Sequence, residues 1–324
     1  MCRENVAIAF AAVRRRSADR TPVWFGVFGC LYGVRLAGQS QLVQPLLAEV
    51  SWRYLDAFML LFMISVGYFV AQRMVAGERR LVAVSRELEL AREIQQSILP
   101  RALPETAGFR VAARYLPMSD VGGDFYDFDT QRADRLGILV ADVTGHGVPA
   151  ALVASMVKMA FAAEAERLDD PGLVLTNMNR TLCGRFAGAY VTACCGVIDP
   201  RYRTLRYASA GHPAPILRRI DGRVQPLEQR GLLLAFDATA RYATAEVALS
   251  AGDRVVVFTD GLLEAANAGD EFFGDARLGH LLMAGTTLTP EQFVDQIVAE
   301  LRRWVGPDTP LQDDVTVVAV DVAR

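Results

Sequence analysis

Hydrophobic and polar positions divide the chain into three stretches with different periods. In the first eighty residues the apolar side chains come in blocks. Residues 21–34 and residues 57–72 (AFMLLFMISVGYFVAQ) contain no charge. Each block is a little shorter than the ~20 residues that cross a bilayer, but Arg53, Tyr54 and Arg73 at the flanks can reach the interface. Arg14, Arg15, Arg16 and Arg20 precede the first block, and Arg73, Arg79 and Arg80 follow the second. A two-span hairpin with both ends in the cytoplasm satisfies the positive-inside bias. A pair of buried helices is the alternative. Residues 6–13 have the character of the tail of a further span. The arginine cluster comes after them without a small-residue cleavage site, unlike a secretory signal.

From residue 79 to residue 99 the period changes to that of a charged helix. Leu81, Val84, Leu88, Ala91, Gln95 and Ile98 recur three and four residues apart, the a/d spacing of a short coiled coil of about three heptads. A homodimer joined through this linker helix is the expectation, with Gln95 fixing its register. The alternative is one amphipathic helix lying on its own domain. Pro100 and Pro104 end the run.

Beyond residue 100 the pattern is mixed. Strands are expected at residues 109–115, 136–143, 190–198, 204–208, 216–220, 223–227, 243–249, 254–259 and 315–322. Helices are expected at 149–166, 172–183 and 290–304, with proline at the first turn of the 149 and 290 segments. Runs of consecutive strands with helices inserted between them point to packed antiparallel sheets flanked by helices, an α+β class, and not to a βαβ array. The expected organisation is a membrane-embedded helical segment at 1–78, a coiled-coil-like linker at 79–100 and a soluble domain at 101–324.

Composition alters this picture only slightly. Hydrophobic residues make up 52% of the 324, high for a wholly soluble protein. A formal net charge of −3 gives no reason to expect nucleic acid as a partner. The five cysteines form no CxxC pair and read as reduced core residues. With only three histidines, His146, His212 and His280, a histidine-built metal site is disfavoured.

The candidate chemistry lies in carboxylates at strand ends. Asp124 follows Gly122-Gly123, Asp142 closes the apolar run 136–141, Asp260 follows the strand in VVVFTDG, and Asp313 and Asp314 precede the last strand in LQDDVTVVAV. Any one of these alone reads as a turn residue. Together, without histidine or cysteine, they suit oxygen ligation of hard cations such as Mg²⁺ or Mn²⁺. Crowded carboxylates repel one another unless cations neutralise them. Two such ions held close together can activate a water for attack on phosphorus.

The segments AREIQQSILPRALP, VAARYLPMSDVGGDFYDF, VADVTGHGVPAALVAS, YASAGHPAPIL, GDRVVVFTDGLLEAANAGDEFFG and QDDVTVVAV carry a resemblance. In this order they resemble the SpoIIE/RsbU branch of the metal-dependent PPM-type serine/threonine protein phosphatases, over residues 91 to 324. The resemblance implies two packed antiparallel sheets covered by helices, with a centre for two divalent metal ions at one edge. It implies that Asp124, Asp142, Asp260 and Asp313 are the metal ligands. Asp142 would bridge both ions, the backbone carbonyl of Val143 would add a further ligand, and Asp314 would be a supporting or turn residue. It further implies a substrate, a phosphorylated STAS-type anti-anti-sigma factor. With the arginine placement around the apolar blocks, the expected location is the cell inner membrane with the phosphatase domain in the cytoplasm. The first segment resembles the end of a bacterial seven-helix receptor module.

Two departures from the family pattern stand out. Met118-Ser119-Asp120 fills the stretch where eukaryotic members carry a phosphate-clamping arginine. His146 lies four residues after Asp142 where those members have a histidine two after, so it is not assigned as general acid. A turn residue capping the following helix is an equal reading for His146, and His212 reads as structural. Three other function classes stay open: a two-metal hydrolase of another phosphoester, a catalytically weak signalling or binding module, and a membrane sensor with the phosphatase as its output.

Overall fold

The computed structural model describes residues 52–100, 102–104, 108–119, 121–130, 135–186, 188–307 and 309–323, with Gly29, Tyr32 and Gly33. The block at 21–34 therefore lies, apart from those three residues, outside the described residues. The chain divides into two compact units, Met1–Val84 and Ser85–Arg324.

In the first unit the block at 57–72 is helical, part of α1 (Trp52–Ile98). Its segment Met59–Arg80 is long and apolar enough to cross a membrane by length and composition, and none of it is buried. Leu60, Leu61, Ile64, Tyr68 and Val70 stand exposed along it.

The second unit is built from two five-stranded antiparallel sheets. The first has the order β1 (Phe109–Leu116), β10 (Val315–Val322), β9 (Arg254–Phe258), β6 (Ile216–Arg218), β7 (Val224–Pro226). The second has the order β2 (Phe125–Asp129), β3 (Leu136–Val143), β4 (Val191–Asp199), β5 (Thr204–Ala210), β8 (Ala245–Ala248). The α+β reading with packed antiparallel sheets holds. Alternation along each strand sends one set of side chains between the sheets and the other under helices. Val111, Ile138, Cys194, Val257 and Val318 pack between the sheets. On the outer face of the second sheet, Leu139 and Cys195 pack beneath α2 (Val148–Ala162) and α3 (Pro171–Leu182). On the outer face of the first, Val256 and Ala319 pack beneath α5 (Gly274–Ala284) and α6 (Pro290–Val305), which follow the single turn α4 (Asp260–Leu263). Adjacent Cys194 and Cys195 thus enter different cores, and both are free thiols.

Local chemistry sets the helix ends. Thr289 and Gln292 form a reciprocal capping box with Pro290 at the first turn of α6, and Gly306, at φ 110°, stops that helix. Asp170 accepts from the Leu173 N–H at 3.2 Å ahead of Pro171 in α3. The helix expected over 149–166 ends at Ala162 and continues as a 3₁₀ turn, Ala165–Arg167. β2, α4 and α5 were not foreseen. β2 is an edge strand of five residues in a Gly-rich stretch, too short for a periodic signal.

The linker reading changes at Gln95. Its side chain is 5% exposed because it docks on its own domain: Nε2 donates to the Gly122 carbonyl at 2.5 Å and Oε1 accepts from the Gly122 N–H at 3.0 Å. Gln95 is therefore no register-fixing residue on an intermolecular seam. A carboxamide has one donor and one acceptor side, and both are used by the backbone of the loop before Asp124. Lys158 on α2 also donates to the Ile98 carbonyl, at the end of α1. The side chains of Leu81, Val84, Leu88 and Ala91 lie outside the described residues.

Candidate metal centre

Strand ends of both sheets converge on the aspartates singled out from the sequence. Asp124 immediately precedes β2, and Asp142 is the penultimate residue of β3, opposite Thr192 of β4. Asp260 opens α4 two residues beyond the end of β9, and Asp313 lies two residues before β10. The register Val317↔Phe258 brings the last pair together at one end of the first sheet.

Asp124 is 2% exposed and ties the two sheets. Its Oδ2 accepts from Thr259 Oγ1 and from Thr316 Oγ1, each at 2.7 Å. The Thr316 N–H donates in turn to Thr259 Oγ1 at 2.9 Å, which orients that hydroxyl. Burial pushes the Asp124 pKa well up, and the Asp142 charge adds to this, while the two threonine bonds oppose it. Asp142 is pushed up to about 7 by burial and then by Asp260, Asp313 and Asp314. Asp313, exposed on the rim, is also raised, first by burial and then by Asp260 and Asp314, against the Asp314 N–H bond and His146, which lower it.

These groups fit divalent cations. Among the described residues, none of Asp124, Asp142, Asp260, Asp313 or Asp314 makes an ion pair with lysine or arginine. The negative charge is uncompensated, which is costly at this degree of burial. The donors are all oxygen, the set that hard cations prefer. Among the described residues no three acidic, histidine or cysteine side chains close on one point; unneutralised carboxylates repel one another and stay apart. Gly123 keeps a main-chain acceptor approachable, since a Cβ there would lie 2.6 Å from the Val143 carbonyl oxygen.

Asp314 is the residue whose part the sequence left open. It is 4% exposed and grips the loop that leads to Asp124: Oδ1 accepts from the Met118 N–H at 2.7 Å and Oδ2 from the Gly123 N–H at 2.5 Å. Asp313 Oδ1 accepts from the Asp314 N–H at 2.8 Å. Adjacent aspartates thus face opposite ways, one to the rim and one into the loop.

A profile of the SpoIIE family (Stage II sporulation protein E) matches residues 132–323, more than half of the chain. The chain belongs to the SpoIIE family. It is 29% identical over 239 residues to the phosphoserine phosphatase RsbU of Bacillus subtilis (strain 168), across 73% of this chain and 70% of RsbU. Phosphoserine phosphatase RsbP of the same organism is 26% identical over 184 residues, 55% of this chain and 45% of RsbP, so the chain spans under half of that relative. Among solved structures, the SiaA-PP2C domain of Pseudomonas aeruginosa superposes with a TM-score of 0.66 at 28% identity, over 74% of this chain and 98% of that domain. The protein is thus a PP2C-type phosphatase of the RsbU/RsbP branch. Two more distant chains share the fold and were crystallised with ions. RsbX in complex with magnesium is 20% identical over 68% of this chain and 99% of that one, TM-score 0.53. The catalytic domain of PstP with two manganese ions is 17% identical over 67% and 99%, TM-score 0.50.

In this SpoIIE-family structure the two described histidines near the centre have separate places. His146 is exposed, and the N-cap position of α2 is Gly147, with no side-chain cap bond, so the capping reading for His146 is not observed. His212 is 6% exposed, with Nδ1 2.8 Å from Thr192 Oγ1, and burial lowers its pKa to about 3. It holds the turn after β5, the structural role expected. Thr259, Thr316 and Gln95 were missed as supports of the site. The threonines sit in ordinary strand-end sequence, and only strand pairing brings their hydroxyls to one carboxylate oxygen.

Proposed function

We propose that this protein is a membrane-tethered, divalent-metal-dependent phosphatase that removes phosphate from phosphoserine or phosphothreonine of a regulatory protein. The observation that carries the reading is the set of uncompensated aspartates where the two sheets end. Asp124, Asp142, Asp260 and Asp313, with the Val143 carbonyl, would hold two Mn²⁺ or Mg²⁺ ions, Asp142 being shared. Ions bound there would supply charge neutralisation and Lewis-acid chemistry at phosphorus.

The chain's own residues set the conditions for that chemistry. Thr259 and Thr316 keep Asp124 oriented as an acceptor, and Asp314 and Gln95 fix the loop before it. Asp313 and His146 lie exposed at the rim, which admits a residue presented on a protein surface. Water would attack phosphorus directly, with no covalent enzyme intermediate, as Lewis-acid activation by bound ions allows. Serine or threonine leaves with the proton, and inorganic phosphate is released.

The resemblance to RsbU supports a small phosphorylated STAS-type anti-anti-sigma factor as substrate, within a partner-switching pathway. The exposed apolar segment Met59–Arg80 supports tethering to the cell inner membrane with the phosphatase domain in the cytoplasm. The organisation that follows is a membrane segment at 1–78, a linker helix at 79–100 that pairs two copies, and the phosphatase domain at 101–324.

The test is Mn²⁺-dependent release of phosphate by the full chain from phosphoserine peptides, set beside nucleotides. Asp142→Asn should abolish release while circular dichroism and unfolding stay as in wild type. Most of the activity surviving in a folded Asp142→Asn protein would refute the shared-ligand assignment, and faster turnover of nucleotides would refute the substrate class.

A further inference from the structure

The end of the first sheet away from the aspartates carries a second concentration of charge, of opposite sign. Strand register places Arg110 opposite Asp321, Asp321 opposite Arg254, and Arg254 opposite Arg218, across β1, β10, β9 and β6. Residues directly opposite in antiparallel pairs share a face, so the four form one transverse row. The row lies on the face covered by α5 and α6, since Arg254 stacks on Phe293 of α6 at 4.5 Å.

One carboxylate serves three guanidinium groups. Arg254 takes it: Nε and Nη2 donate to the two oxygens of Asp321 at 2.5 and 2.8 Å. Arg254 also donates to the carbonyls of Gly285 and Leu288 at 3.2 and 2.7 Å, pinning the loop that enters α6. The neighbouring Asp253 is engaged by Arg219 at 2.9 Å and by the Ile220 and Ser250 N–H groups. Arg218 is left over. It is 3% exposed; among the described residues its Nε has no hydrogen-bond partner and its one bond runs from Nη2 to the Gly252 carbonyl at 3.3 Å. Arg110 is exposed and has no ion-pair partner among the described residues.

Burial and Arg254 work against the Arg218 charge; Asp321 and Asp253 lie near enough to favour it, but each is hydrogen-bonded to another arginine. An aliphatic side chain at 218 would continue the packing of Ile216 on the same face at no such cost. Both arginines instead line a cavity of about 390 Å³, together with the Asp321 carboxylate that Arg254 holds and with Thr286, Thr287 and Thr289. That volume is within the range of small-molecule sites. The Thr289 hydroxyl is used by its capping box, while Thr286 and Thr287 are exposed. The row carries a surplus of two positive charges, which matches a phosphate group near charge −2. Guanidinium forks and hydroxyls are its usual partners.

We propose that this cavity binds the phosphate group of a small ligand, with Arg218 as the buried anchor and Arg110 at the mouth. The row is separated from the aspartate end of the sheet by the length of β9, about 13 Å for the four steps from Arg254 to Phe258 at ~3.3 Å each. Binding there does not depend on the catalytic reading.

The test is calorimetric titration of the full chain in detergent, with EDTA present so that divalent ions do not recruit the anion. Inorganic phosphate and adenosine monophosphate are the probes; their relative affinities distinguish a free ion from a phosphoester as ligand. Saturable one-to-one binding is expected for at least one probe. Arg218→Met should weaken it about tenfold or more, and Arg110→Gln about threefold. Asp142→Asn should bind as wild type, which separates this site from the aspartate cluster. Should Arg218→Met fail to fold, the exposed substitutions Arg110→Gln and Thr286→Ala with Thr287→Ala decide. Absence of saturable binding of either probe at millimolar concentration overturns the proposal, as does wild-type affinity in the folded arginine variants.

Discussion

Replacing Gln95 is the sharpest perturbation of the way α1 meets the phosphatase domain. In Gln95→Leu the carboxamide is exchanged for an aliphatic group of similar size. A seam of an intermolecular coiled coil would gain from this change, and the dimer would tighten. The structure predicts the reverse. Gly122 is buried, and both its N–H and its C=O are satisfied by Gln95. Leucine leaves both groups without a partner, at about 1–3 kcal/mol each. Packing of the leucine side chain returns a part of this, so a net loss of about 2–4 kcal/mol is expected. Urea unfolding of the full chain in detergent, followed by circular dichroism, should show a midpoint about 1 M lower, given slopes of ~1–3 kcal/mol/M. Gly122 lies two residues before Asp124, so the Mn²⁺ concentration for half-maximal phosphatase rate should rise as well, by about threefold or more. A midpoint within about 0.2 M of wild type, with an unchanged Mn²⁺ requirement, would refute the docking and restore the intermolecular reading.

Three further outcomes are expected. Gly123→Ala places a methyl group 2.6 Å from the Val143 carbonyl oxygen, so backbone must move at the centre; phosphatase rate should fall at least tenfold while the unfolding midpoint shifts little, and an unimpaired rate would contradict the close approach. Asp321→Ala strands Arg254, which is 1% exposed, and should cost about 3–5 kcal/mol by urea unfolding, whereas the double variant with Arg254→Met should lose less; equal losses would show that the pair is not coupled. The full chain should sediment with membranes and resist extraction by high salt or alkaline carbonate, and recovery in the supernatant without detergent would remove the tether.

What the sequence determined by itself is what local periodicity and turn chemistry encode. The 136–143 and 315–322 strands were legible to the residue because nearly every side chain in them is buried, leaving unbroken apolar runs between turn residues. The α2 and α6 helices announced themselves by proline at the first turn. The aspartates could be picked out because several carboxylates beside glycine at strand ends, without histidine or cysteine, already describe an oxygen-donor site. The α5 helix was missed because GDARLGHLLMA has two glycines and little amphipathic contrast.

Tertiary structure alone decided which partners these residues find. A glutamine recurring with apolar residues at three- and four-residue spacing reads the same whether the facing surface is another helix or the chain's own loop. The Gly122 backbone, 27 positions away, settled it. Asp313 and Asp314 are equivalent in sequence, and only the path of the 118–123 loop makes one a buried clamp and the other a rim carboxylate. The hydroxyls of Thr259 and Thr316 reach one oxygen of Asp124 across 135 and 192 residues. The row from Arg110 to Arg218 exists only through strand register, since a one-residue slip would send alternate members to the other face of the sheet. Periodicity along the chain fixes which face a side chain takes; which groups meet there is fixed by pairing between segments far apart in sequence.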